Sequence, residues 1–173
     1  MSDSIIPDDK NWTWVLEAKC SDCGFDARAF DAKEAGTAIR DQVTRWVAVL
    51  QREDVRIRPH SSVWSPLEYS CHVRDVFRKF DERLALMIET DDPSFENWDQ
   101  DATAVADRYG LQNPRNVSEE LSAAGHALAN RFDTVADSQW QRRGFRSDGS
   151  VFTIESIAKY LMHDPIHHLW DVG

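Results

Sequence analysis

Trp64-Ser65-Pro66-Leu67-Glu68-Tyr69-Ser70-Cys71-His72 is the stretch that decides the fold. Ser65 offers an N-cap hydroxyl, Pro66 stands where a missing N–H does no harm, and Glu68 is placed three residues on to bond back to the cap. A helix therefore starts at Ser65, and the pattern that follows carries it to about Thr90. Tyr69, Val73, Val76, Phe77, Phe80, Leu84 and Met87 make one apolar stripe along it. His72 stands beside that stripe, one turn from Tyr69 and from Val76, and should face inward.

Upstream, residues 1–30 form an irregular N-terminal segment carrying Trp12, Trp14 and the Cys20-Ser21-Asp22-Cys23-Gly24 turn. Asp31 and Glu34 then have capping-box spacing, and Ile39, Val43, Trp46, Val47 and Leu50 predict a helix over about 32–52. Downstream, residues 91–115 read as a long polar connection with one short helix near Thr103 to Tyr109. A third long helix is expected near Asn116, where Asn116 and Glu119 have capping spacing and Leu121, Ala124, Leu128, Phe132 and Val135 make its buried face. Arg142-Arg143-Gly144 and Ser147-Asp148-Gly149-Ser150 read as turns, and the last helix starts at Thr153. Little in the chain reads as strand. Four amphipathic helices with one long crossover predict an all-α four-helix bundle, a fold whose interior often holds metal sites.

The chain has 173 residues, enough for one domain spanning 1–173 with a sizeable core. It is 42% hydrophobic and 29% charged, the balance of a globule, not of a disordered chain. No apolar run approaches the roughly 18 residues a bilayer requires, and the first residues lack a signal-peptide pattern, so a cytoplasmic location without a membrane partner is expected. The net charge of −10 argues against nucleic acid. Three cysteines are too few and too odd for a disulfide framework, which fits a reducing compartment.

The chemistry is concentrated in Tyr160-Leu161-Met162-His163-Asp164-Pro165-Ile166-His167-His168-Leu169-Trp170. His163 and His167, four apart, lie within about 40° of each other on a helix, the spacing at which two imidazoles grip one divalent ion. The bland alternative is a terminal helix with partly exposed histidines. Taken alone His72 reads as a satisfied core histidine; together with His163 and His167 in a bundle it would add a third ligand and leave positions open for water or substrate. His168 stands about 100° from His167, and pairing it with His163 spans about 140°, so His167 is the expected partner unless Pro165 kinks the helix between them.

Trp64-Ser-Pro-Leu-Glu-Tyr-Ser-Cys-His72-Val-Arg-Asp75, followed far downstream by His163-Asp-Pro-Ile-His167-His168, resembles the DinB/YfiT-like superfamily, and most closely its actinobacterial members. The resemblance runs roughly from Trp12 to Val172. It implies a four-helix bundle with a three-histidine metal site, which maps onto His72, His163 and His167. It implies zinc or nickel as the expected ion, although three-imidazole sites also accept iron and manganese. It further implies a thiol-dependent S-transferase or isomerase that uses a low-molecular-weight thiol such as mycothiol or bacillithiol. A divalent cation held by neutral imidazoles lowers the pKa of a coordinated thiol or water, and a thiolate would then attack an electrophilic carbon of a small-molecule substrate. The alternatives are a metal-dependent hydrolase, for which no glutamate stands beside the histidines, and a non-catalytic metal-binding bundle that forms a homodimer.

Asp75, Tyr160, Asp164 and Trp170 are candidates for the groups around the metal, although Asp75 reads equally as a salt-bridge partner of Arg74 or Arg78, and Trp170 as a core filler. The Asn97-Trp98-Asp99-Gln100-Asp101 segment also resembles this branch of the family and either folds over the bundle mouth, with Trp98 walling off water, or stays a solvated loop. Cys20 and Cys23 have the spacing of half a zinc ribbon with no second half, so a tight turn with free thiols is expected. Cys71 reads as packing, and His60 and His126 as surface.

Overall fold

The computed structural model describes residues 5–8 and 10–173. The expected irregular segment therefore includes residues 1–4 and 9, which lie outside the described residues. Five α-helices follow it: α1 Ala35–Val49, α2 Pro66–Glu89, α3 Gln100–Ala106, α4 Pro114–Asp133 and α5 Ile154–Val172. Among the described residues, no helix is long and apolar enough to cross a membrane.

The cap read at Ser65 forms as expected. The Ser65 side chain accepts from the Glu68 N–H at 3.3 Å, and Glu68 accepts from the Ser65 N–H at 2.8 Å. Glu68 is buried and is also bonded to Arg58, which pulls its carboxyl below the usual range against the opposing effect of burial. At the other helix starts the residues shift by a few positions. Asp31 caps a 3₁₀ turn, Ala32–Glu34, that leads into α1. Helix α4 begins at Pro114 and not near Asn116, because Asn113 accepts from the Arg115 N–H and Pro114 fills the first turn. Likewise α3 starts at Gln100, where Asp99 accepts from the Ala102 N–H.

Around the bundle the order is α1, α4, α2, α5, so that sequence neighbours α1 and α2 lie across one diagonal and α4 and α5 across the other. Ile39, Val43, Trp46, Leu67, Phe77, Leu84, Leu121, Leu128, Ile157 and Leu161 fill the space between them. Pairing α2 with α5 places the face of His72 opposite the face of the C-terminal histidines, and this pairing positions the site.

A three-stranded sheet departs from the strand-poor reading. β1 (Ser94–Phe95) pairs parallel with β2 (Arg143–Arg146), which pairs antiparallel with β3 (Val151–Thr153). Only the hairpin tip behaves as the turn expected there, with Gly149 at φ +91°. Gly144, read as part of a turn, lies within β2, where a Cβ would approach Phe95 Cε1 to 2.7 Å and Met87 to 2.9 Å. Its glycine thus permits the sheet to lie directly on α2. The sheet anchors the 91–115 crossover over one end of the bundle.

Candidate metal centre

Helix α5 runs through Pro165 without a break, and Trp46 on α1 donates its indole N–H to the Pro165 carbonyl at 3.2 Å. The helix therefore carries two interleaved i,i+4 donor pairs: His163 with His167, and Asp164 with His168. Each pair meets a different part of the chain.

The first group comprises His72, Asp164 and His168, with ligand atoms all within 4.8 Å of one another. His72 Nε2 lies 3.3 Å from Asp164, and the His72 and His168 rings meet edge to face at 5.0 Å. His168 Nδ1 is 2.7 Å from Asp171, which leaves its Nε2 turned towards Asp164 at 3.9 Å. Burial of the Asp164 carboxyl would push it up, but the imidazoles of His72 and His168 hold it down at about 2. His168 is moved the other way: burial lowers it, and Asp164 and Asp171 together raise it above its ordinary value. His72 is fully buried, and its Nδ1 has no hydrogen-bond partner. Two imidazoles and one carboxylate, with such an orphaned nitrogen, suit a divalent cation with positions left open.

The second group comprises Cys20, Cys23, His163 and His167, again with ligand atoms within 4.8 Å of one another. Burial, helped by His167, lowers His163 to about 4, and burial also lowers His167, so both rings are neutral at pH 7.

Asp164 and His168 of the first group and His163 and His167 of the second open on one cavity of about 330 Å³, while His72 stands behind its lining. Trp12, Trp64, Trp98, Tyr69 and Phe80 make its apolar walls, and Asp8, Asp101 and Asp171 its acidic side. Asp101 is raised above the usual carboxylate range by burial and by the neighbouring charges of Asp99 and Asp8. At another part of the wall, Arg83 and Arg146 are both buried beside Tyr160. Arg83 donates to the Glu96 carbonyl at 2.9 Å, but its Nε is unpartnered; burial and Arg146 lower it to about 10. Arg146 is bidentate to Asp148 at 2.9 and 2.8 Å.

That last pair sets a pH dependence. Arg146, against the opposing effect of burial and with help from Ser150, holds the Asp148 carboxyl at about 2 instead of the ordinary 3.8. A depressed folded pKa stabilises above the unfolded value, and this stabilisation is lost as pH falls from about 4 to about 2. Asp148→Asn is therefore expected to cost about 1 kcal/mol at pH 7, after allowance for a partly exposed carboxylate. In urea unfolding, variant and native protein should converge near pH 2.

The structure distributes the residues expected from sequence as follows. His72 and Asp164 belong to the first donor group, and His163 and His167 to the second. The expected three-histidine set is thus split between two groups, and His168, set aside on the helical wheel, takes the place beside His72. Asp164 stands between His72 and His168, its carboxylate 3.3 Å from His72 Nε2 and 3.9 Å from His168 Nε2. Tyr160 and Trp98 line the cavity, and Trp98 stacks parallel on His72 at 5.5 Å, so the 97–101 segment covers the mouth. Asp75 turns to Arg74, Arg78 and the Tyr109 hydroxyl, at 2.9, 3.1 and 2.6 Å, away from the cavity lining. Trp170 is 55% exposed and touches the site only through His167, its ring 5.7 Å away.

A bundle in this order, with candidate donor groups on α5, is a helical class to which the DinB superfamily belongs, and the model of that superfamily matches residues 35–172. The chain belongs to that superfamily. Among solved structures it is similar to YfiT from Bacillus subtilis, described as a probable metal-dependent hydrolase with an unusual four-helix bundle topology. The two share 16% identity at a TM-score of 0.65, with 98% of this chain and 91% of that chain covered. No curated protein matches the chain.

Proposed function

We propose that the chain is a metal-dependent enzyme acting on a small molecule, with His72, Asp164 and His168 holding a divalent cation, zinc or nickel in the first instance. One observation carries this reading: three protein donors, not four, gather where Asp164 and His168 line a cavity, which would leave a cation free to accept an outside ligand. A cation held there would lower the pKa of a coordinated thiol or water. We take a low-molecular-weight thiol of the mycothiol kind as the nucleophile and an electrophilic carbon as its target, making the reaction S-transfer or isomerisation. Trp98 and Trp64 exclude water from the reacting atoms. Arg83 and Arg146 would orient a carboxylate or similar anionic group on either reactant.

Hydrolysis is the second reading, and a specific observation favours it. Asp101, on the cavity wall, is a carboxylate that would take a proton from an attacking water, and burial raises its basicity above that of an exposed carboxylate. The description of YfiT points the same way.

The test loads the purified protein separately with zinc, nickel and cobalt and compares it with His72→Ala and His168→Ala. One equivalent of metal should be lost in both variants. Addition of a low-molecular-weight thiol should change the cobalt absorption of the native protein. Cobalt absorption indifferent to thiol, with ester or amide cleavage lost in Asp101→Asn, would establish hydrolysis instead. Unchanged metal content in both histidine variants would overturn the site.

A further inference from the structure

The second donor group has four members, two of which, His163 and His167, border the cavity, and it belongs to no step proposed above. We infer that Cys20, Cys23, His163 and His167 form a closed structural zinc site that fastens the N-terminal segment to α5.

Local geometry favours it from both sides. The Cys20–Gly24 stretch is a tight turn in which the Gly24 N–H bonds the Cys20 carbonyl at 3.1 Å and the Cys20 N–H bonds the Phe25 carbonyl at 2.9 Å. Gly24 takes φ +77°, a conformation open to glycine, and the turn brings both thiols towards α5. On α5, the i,i+4 spacing aims the His163 and His167 rings to the same side, 4.9 Å apart.

The distances agree with zinc. Tetrahedral bonds of about 2.3 Å to sulfur and about 2.0–2.1 Å to nitrogen place a sulfur and a nitrogen donor about 3.6 Å apart. Cys20 Sγ and His167 Nδ1 are 3.6 Å apart. The remaining valences fit as well: His163 Nε2 is buried without a hydrogen-bond partner, and Asp171 lies 4.0 Å from His167 Nε2, the nitrogen turned away from the thiols. Cys20, His163 and His167 are each under a tenth exposed, and the Trp12 ring covers both imidazoles at 5.3 and 5.2 Å. Two thiolates and two imidazoles select zinc, and four protein donors fill a tetrahedral shell, which leaves no substrate position although His163 and His167 border the cavity. On binding, the two thiol protons pass to solvent and two zinc–sulfur and two zinc–nitrogen bonds form.

The test is independent of the open site. The full-length protein, purified under reducing conditions, is dialysed against a mild chelator and analysed for zinc, then reloaded with cobalt. One equivalent of zinc should survive dialysis, and the cobalt form should show sulfur-to-metal charge-transfer absorption. Both should persist in His72→Ala and vanish in the Cys20→Ser/Cys23→Ser double variant. Should that variant fold poorly, Cys23→His keeps four donors and is expected to retain the metal with a weaker sulfur band. A native cobalt form without a thiolate band, or a Cys20–Cys23 disulfide as the resting state, would overturn the site whatever the fate of the metal at His72.

Discussion

Trp46→Ala is expected to lower the free energy of unfolding by about 3–5 kcal/mol, the range for emptying a large aromatic side chain from a core. Trp46 is fully buried on α1, and its indole N–H reaches across to the Pro165 carbonyl on α5. Alanine there removes the packing and the donor together. Trp46→Phe isolates the second effect, since it retains most of the volume, and should cost about 1 kcal/mol from the hydrogen bond alone plus a small repacking cost. Urea titrations of both variants separate the contributions. Pro165 lies between the two donor pairs of α5, so loss of its anchor should also weaken metal retention at both sites. Unfolding curves for Trp46→Ala that superimpose on the native protein would refute the assigned packing.

The second large effect is expected at Asp171. One carboxylate serves two histidines: its Oδ2 lies 2.7 Å from His168 Nδ1, and its Oδ1 lies 4.0 Å from His167 Nε2. A carboxylate on the far nitrogen fixes the tautomer and makes the metal-facing nitrogen more basic. Asp171→Ala should therefore weaken cation binding at His72, Asp164 and His168 by about 10–100-fold, the usual range for losing such a support. The effect at the cysteine-containing group should be smaller, because the contact there is longer. Asp171→Asn retains the shape without the charge and should fall between alanine and the native protein. Competition with a chromophoric chelator measures both affinities, and equal retention in all three proteins would show that Asp171 supports neither site.

Much of this arrangement was legible in the chain, for identifiable reasons. Helix α2 announces itself because its cap, its proline and its glutamate are contiguous, so local chemistry decides the start. Asn113-Pro114 has the same logic in shorter form, yet an asparagine–proline pair also begins turns, and only tertiary context selects the helix. The strands are two to four residues long, too short for alternation to register, and Gly144 favours a turn unless Phe95 and Met87 are known to lie against it. In the site, helical spacing identifies His163 with His167. It identifies Asp164 with His168 equally well, but an argument built on histidines alone passes over a carboxylate in that role. Which pair His72 faces depends on how α2 and α5 are rotated against each other, and no spacing within either helix contains that angle. The cysteine turn was visible as half a zinc-ribbon spacing, while the histidines it meets lie some 140 residues away in sequence.

The contact between Cys20 and His167 joins residues 147 positions apart. A bond across such a span closes nearly the whole chain into a loop, and the entropy of that closure must be met before the contact forms. The helices that pack most closely, α2 with α4 and α1 with α4, need far shorter loops, so the N-terminal segment should dock after them in folding and detach before them in partial unfolding. That order bears on the cavity. Asp8 and Trp12 belong to the late-docking segment and are also part of the cavity wall, held to each other by the indole N–H at 2.6 Å. A molecule held there rests against this wall, so the proposed metal clasp at Cys20 and Cys23, by holding the wall in place, would lengthen its residence from outside the reaction.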